Sequence, residues 1–238
     1  MSLIYLIRHA QAGSRDNYDV LSELGHEQAR LLGEYFVSQE TSLNAVYSGS
    51  MRRQRHTAEL ACSAYGRGNL LEPEIIVDSR WDEFSLATVY RSLARRLMDE
   101  SEEFTRDFEE MQEALRRDPH TTRGATGRCD AAVIRAWMGN RFSDFDGESW
   151  PSFRERIQRC FADLLASEDE RTVAVFTSAT PIAIMVGAAL ELTDEKLLSI
   201  LGVIYNTSVN IIGARAGEMR LFSFNSLPHL NNSLRTFR

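Results

Sequence analysis

Cysteine is scarce in this chain: Cys62, Cys129 and Cys160 lie far apart and never form a C-x-x-C pair. That excludes a disulfide framework and a cysteine-based zinc site, and it favours a reducing compartment. A cytoplasmic location is the expectation. Positive charge is also short. Lys plus Arg number 27 against 34 Asp plus Glu, a net charge of −7, which argues against sequence-independent nucleic-acid binding. No secretory leader is expected, because the apolar run from Met1 ends at Arg8-His9, before the length such a segment needs. Long hydrophobic runs are missing too. The nearest approach is the uncharged stretch from Thr172 to Leu190, whose centre reads Thr177-Ser178-Ala179-Thr180-Pro181. That cluster of breakers and caps divides it into two buried elements joined by a turn, so no membrane span is expected. Neither internal repeats nor low-complexity tracts occur.

The chain has 238 residues, 43% apolar and 26% charged, enough to bury a core as one α/β domain. Leu3-Ile4-Tyr5-Leu6-Ile7 reads as a strand buried on both faces. Leu21 to Ser38 follows as a helix with Ser22 as its N-cap. Ala45 to Tyr47 and Glu74 to Asp78 read as strands, with a helix from Arg53 to Tyr65 between them. Arg154 to Ala166 is a helix and Arg171 to Phe176 a valine-rich strand. Pro181 to Leu190 is a helix with proline near its start. Ser208 to Ile212 and Met219 to Phe224 suggest a closing strand pair. The alternation predicts a mostly parallel sheet with helices on both faces.

The stretch from about 85 to 146 breaks this rhythm and reads as a helical insertion over the site. Leu93, Leu97, Phe104, Phe108, Met111 and Leu115 form an apolar stripe on one or two amphipathic helices. The stripe is expected to pack on the chain's own core, with a homodimer seam or a movable cap as the alternatives. His120 to Arg128 reads as a loop.

Ligand sites of open α/β sheets lie at the carboxyl ends of the strands. Four strand ends here deliver reactive residues: Arg8-His9, then Ser48-Gly49-Ser50 with Arg52 and Arg53, then Asp82-Glu83, then Thr177-Ser178-Ala179-Thr180. They combine a histidine, arginines, a carboxylate and a hydroxyl-rich helix start. Arginines bind phosphate through paired donors, helix N-termini attract anions, and histidine is a nucleophile near neutral pH. A local cationic site in an acidic protein is expected. The residues alone do not choose between Asp82 and Glu83.

With these motifs in place, the chain resembles the histidine phosphatase superfamily, also called phosphoglycerate mutase-like. The resemblance rests on Leu6-Ile7-Arg8-His9-Ala10 and on Leu21-Ser22-Glu23-Leu24-Gly25-His26-Glu27-Gln28-Ala29. It continues in Ser48-Gly49-Ser50-Met51-Arg52-Arg53-Gln54-Arg55-His56-Thr57-Ala58, Trp81-Asp82-Glu83, Gly147-Glu148-Ser149 and Pro228-His229-Leu230. It implies phosphoryl transfer in two steps. His9 would attack phosphorus and become phosphohistidine. Arg8 and Arg53 would hold the phosphoryl oxygens, and Glu83 would protonate the leaving oxygen and then activate water. The arginines carry the charge, so no metal or other cofactor is required. The expected partner is a phosphorylated small molecule.

The sequence departs from the family at one point. The family's second histidine, in Ser-His-Gly, is replaced by Ser178 in Thr177-Ser178-Ala179. Ser178 and Ala179 are then expected at a helix N-terminus that still receives the phosphoryl group, with reduced turnover. Two alternatives to a phosphatase stay open: mutase-type transfer, and a protein that binds phosphate without turning it over. The first lacks support in Gln11-Ala12-Gly13-Ser14-Arg15, which does not match the mutase continuation.

Overall fold

The computed structural model describes residues 1–13, 17–68, 70–119, 121–142, 144–166, 169–215 and 217–237. It forms two compact units. The first holds Met1–Gly13, Asn17–Glu83 and Arg156–Arg238, and carries the sheet. Its elements are β1 (Ser2–Arg8), α1 (Glu23–Ser38), β2 (Ala45–Ser48), α2 (Arg52–Arg67) and β3 (Ile75–Val77). After the second unit come β4 (Thr172–Thr177), α7 (Ala179–Ala189), α8 (Asp194–Leu201), β5 (Val209–Arg215) and β6 (Glu218–Ser226).

The six strands form one sheet in the order β3-β2-β4-β1-β5-β6. β3, β2, β4 and β1 run parallel, while β5 pairs antiparallel with both β1 and β6. The mixed, mostly parallel α/β sheet is therefore as expected. Strand alternation divides the core between two faces. On one face Ile7, Val46, Ala174 and Phe176 pack with Leu32 and Phe36 of α1 and with Ala58, Ala61 and Cys62 of α2. Ile4 and Leu6, alternate on β1, are equally solvent-free. α7 packs on β1, β5 and β6.

Local chemistry starts and stops these elements as the sequence suggests. Ser22 accepts the Gly25 N–H at 3.0 Å and caps α1. Gly25 is demanded by close approach: a Cβ there would lie 2.1 Å from the Gln11 carbonyl oxygen. α7 begins at Ala179, with Pro181 in its first turn, where a missing N–H leaves no helical bond unmade. α8 escaped the sequence reading, because Asp194 to Leu201 spans two turns, too short for a clear periodic signal.

The second unit holds Phe84–Glu155. It contains α3 (Leu86–Glu100), α4 (Glu102–Arg117), α5 (Ala125–Met138) and the start of α6 (Trp150–Leu164). The apolar stripe is split at Ser101, which caps α4 by accepting the Phe104 N–H at 3.1 Å. Leu93, Leu97, Phe104 and Met111 are buried within this unit. Phe84 stacks on Trp137 at 4.4 Å between ring centroids, and Trp150 and Phe153 join the cluster. One expectation needs correction. The segment read as a loop from His120 to Arg128 becomes helical at Ala125, where Thr126 and Cys129 are buried. The sequence masks this helix because arginines interrupt its apolar pattern. His120 itself lies outside the described residues, as do Ser14 and Arg15.

Candidate active site

His9 follows β1, and the backbone fixes it from three sides. Its N–H donates to Thr177 O at 2.8 Å. Its carbonyl accepts Nδ2–H of Asn206 at 3.0 Å. The neighbouring Arg8 carbonyl accepts the Thr207 N–H at 3.0 Å. The ring is 1% exposed. Nδ1 lies 2.8 Å from the Ala10 carbonyl oxygen, which can only accept, so Nδ1 carries the proton. Nε2 therefore presents a lone pair, and the Nε–H of Arg53 points at it from 3.2 Å. Burial, then Arg53, then Arg8 hold the imidazole pKa well below its usual range. His9 is thus neutral at neutral pH, with the Nε2 lone pair turned toward Arg53.

Arg53 sits in the first turn of α2, with its guanidinium carbon 4.9 Å from the Tyr18 ring centroid. Its Nη1 meets Asp19 Oδ1 at 3.0 Å. The α2 start is held by a further set of contacts. Gln54 Oε1 accepts the Met51 N–H at 3.3 Å, and Asp82 accepts the Ser50 N–H and hydroxyl, each at 2.5 Å. Gly49 permits this closeness: a Cβ there would lie 2.0 Å from Gln54 Oε1. Thr57 returns along α2 to accept the Ala10 N–H at 3.0 Å, which ties α2 to the end of β1.

The two candidate carboxylates separate cleanly. Asp82 is spent on the Ser50–Met51 turn. Glu83 reaches the start of α7, where its Oε2 accepts the Thr180 N–H at 3.1 Å. Ser178 stands at the N-cap of α7 and is 1% exposed. Its Oγ accepts Nε2–H of Gln54 at 2.9 Å. Gln54 also donates to the Trp81 carbonyl oxygen at 3.3 Å, so one amide links α2, Glu83's turn and α7. Ala179, partly buried, opens α7 beside it.

Arg8 is 6% exposed. Its Nη1 donates to the carbonyl oxygens of Ile204 and of Phe237, the latter at 3.0 Å. Its Nε is buried with no partner among the described residues, an unmet donor of the kind an anion satisfies. Behind it lies a polar strap that the sequence did not announce. Gln28 donates to Leu234 O at 2.7 Å and Thr236 Oγ1 at 2.9 Å, and accepts the Gln11 N–H at 2.8 Å. Thr236 passes its own proton to Asn206 Oδ1 at 2.9 Å, and Asn206 holds His9. The one available signal was Asn206-Thr207, a polar pair directly before a buried strand; Thr207 has φ of 55°.

His56, on the same helix as Arg53, is not part of this cluster. It meets His26 edge-on at 4.8 Å between α2 and α1. His229 donates to Thr207 Oγ1 from Nε2 at 2.9 Å and is drawn down to about 4 by burial. Among the described residues, no three of His, Cys, Asp and Glu are grouped to hold a metal ion, and no helix is long and apolar enough to cross a membrane.

The family model of the histidine phosphatase superfamily (branch 1) matches residues 4–135 and 126–227, so the chain belongs to that superfamily. A comparison with curated proteins finds no match. Solved structures share the fold. YhfR of Bacillus stearothermophilus is 20% identical, with a TM-score of 0.66 over 96% of this chain and 99% of that one. A phosphoserine phosphatase of Entamoeba histolytica, bound to phosphoserine, is 15% identical, with a TM-score of 0.63 over 97% and 100%. A mycobacterial glucosyl-3-phosphoglycerate phosphatase bound to inorganic phosphate is 22% identical, with a TM-score of 0.61 over 97% and 100%.

Proposed function

We propose that the chain is a phosphatase that hydrolyses a phosphomonoester of a small molecule through a phosphohistidine on His9. The observation that carries this reading is the lone pair of His9 Nε2, held on a neutral ring and faced by the Arg53 guanidinium at 3.2 Å. A binding protein needs the cation but has no use for a buried imidazole tuned to stay unprotonated. In the first step Nε2 attacks phosphorus and the ester oxygen leaves with its electron pair. Glu83 donates a proton to that oxygen. In the second step Glu83 takes a proton from water as its oxygen attacks phosphorus, and the P–N bond breaks to free phosphate and His9. Arg53 and the unmet Nε–H of Arg8 hold the phosphoryl oxygens through both steps.

Ser178 takes the place of the family's second histidine without supplying a charged donor. Turnover is accordingly slow, while the Arg53 cluster retains affinity for the anion. The solved relatives named for phosphoserine and glucosyl-3-phosphoglycerate suggest the class of substrate, a small phosphomonoester.

The test is to trap the intermediate. Incubation with a labelled phosphomonoester and rapid quenching in alkali should leave acid-labile label on the wild type and none on His9→Ala. Tight phosphate binding with neither label nor phosphate release would establish a non-catalytic binder instead.

A further inference from the structure

Asp19 occupies the position where a phosphoryl group would be expected to arrive. Its Oδ1 accepts from Arg53 Nη1 at 3.0 Å and from the Arg53 backbone N–H at 3.4 Å. Its Oδ2 accepts the Arg52 backbone N–H at 3.2 Å. Two carboxylate oxygens thus gather a guanidinium and the first amides of α2. A bound phosphoryl group draws on the same donor types, with two oxygens in place of the carboxylate pair. The nucleophile lies on the other side of the same cation, because Arg53 Nε–H rests on His9 Nε2 at 3.2 Å. Arg53 is therefore held between its anion and its nucleophile, and an incoming phosphoryl group needs both of its partners to let go.

We propose that Asp19 is an internal competitor for the phosphoryl group, which holds Arg53 over His9 between turnovers and weakens the site's affinity for product phosphate. The inference rests on the reading of the site as a phosphoryl site. The exchange is feasible because the two partners differ in exposure. The Arg53 side chain is 8% exposed and stays in place beside the Tyr18 ring, whereas that of Asp19 is 54% exposed. On release the carboxylate regains water at little loss. Arg53 then turns its donors to the phosphoryl oxygens, and Nε2 is uncovered for attack. When phosphate departs, Asp19 returns to the α2 start and closes the cycle. No bond is made or broken in this exchange.

An alternative role, in which Asp19 only caps α2 and positions Arg53, makes the opposite forecast. The distinguishing variant is Asp19→Asn, because asparagine caps helices as well as aspartate does but carries no charge. Titration calorimetry with inorganic phosphate at pH 7.5 should show the variant binding about two- to fivefold more tightly than wild type, the scale set by one half-exposed ion pair. Product inhibition by phosphate should strengthen by the same factor. Asp19→Ala should also tighten binding, which separates loss of the competitor from a new contact by the asparagine amide. Equal or weaker phosphate binding by folded Asp19→Asn would overturn the proposal. Tightening confined to Asn, or no binding in any form, would overturn it as well. Failure to trap phosphohistidine in the wild type would sink the phosphatase reading, yet the phosphate titrations would still decide the role of Asp19.

Discussion

The Nε–H of Arg53 rests on the lone pair of His9 Nε2, 3.2 Å away. A cation so placed suppresses protonation of the imidazole and shields its lone pair. It therefore keeps the His9 ring neutral and its Nε2 covered.

Neighbouring arginines should consequently differ sharply. Arg53 is buried, while Arg52 is exposed and contributes its backbone N–H to Asp19. Arg53→Ala is expected to lower kcat/KM by about two orders of magnitude or more, and Arg52→Ala by no more than about threefold. The same change should raise the His9 pKa, because a depressing charge is removed. Steady-state kinetics and imidazole proton shifts against pH check both parts, and equal losses in the two variants would refute the assignment.

On the proposed reading Ser178 stands where the superfamily has its second histidine, and Gln54 crowds the same corner. Ser178 is buried and hydrogen-bonded to Gln54 Nε2 at 2.9 Å. Restoring the imidazole alone, as Ser178→His, should overpack this corner and lower stability by about 1–3 kcal/mol. Adding Gln54→Ala makes room, so the double variant should recover stability and exceed Ser178→His in kcat. Thermal melts and kinetics of the single and double variants test this; a stable, faster single variant would show that Gln54 does not fill the space.

Much of this arrangement was legible before the fold was known. β1 and β4 announce themselves because parallel central strands are apolar on both faces, and the strand ends then bring Arg53 to His9 and Glu83 to the start of α7. What stayed hidden are polar residues whose work is done over long sequence distances. Gln54 and Thr57 stood inside a recognised motif without a visible task, since their partners Ser178 and Ala10 belong to other elements. Asp19 carried no signal in the sequence, since its partners Arg52 and Arg53 lie more than thirty residues on. Arg8 was expected to hold the phosphoryl group together with Arg53; that its Nη1 also holds the carbonyls of Ile204 and Phe237 was not visible. Hydrogen bonds of this kind have no periodicity, so no pattern along the chain reveals them.

Acid should loosen the protein through His229. Its Nδ1 is buried with no partner among the described residues, and burial lowers its pKa to about 4. An unfolded histidine titrates near ~6.5. Above that pH both states are neutral and the stability is intact. As pH falls from there to about 4, the unfolded chain binds a proton that the folded one refuses, and stability drops. The loss approaches about 3 kcal/mol below the folded pKa. Denaturant melts of wild type and His229→Gln at several pH values should show a shallower acid slope in the variant. Parallel slopes would contradict the assignment.

The strap from Leu234 to Phe237 should matter to catalysis although it lies far along the chain from His9. Ending the chain at Ser233 removes the Leu234 and Phe237 carbonyls and the Thr236 hydroxyl, leaving Arg8, Gln28 and Asn206 short of partners. Each abandoned buried polar group is expected to cost about 1–3 kcal/mol. A fall in kcat with the circular dichroism spectrum retained would mark the strap as a positioning element. Unchanged kcat would show that Asn206 holds His9 unaided.

The place of β1 in the sheet has consequences for how the protein is born. β1 emerges first during synthesis, yet its two neighbours are β4, Thr172–Thr177, and β5, Val209–Arg215. Pairings over such separations are slow, because the loop must close before any contact repays it. A nascent chain therefore carries Leu3 to Ile7 unpaired at least until β4 has been made, an apolar segment suited to capture by a chaperone. Asn206, which holds the His9 carbonyl, is made only just before β5. Pulse-labelled hydrogen exchange during refolding should find the β1 amides among the last to be protected, in step with those of β5.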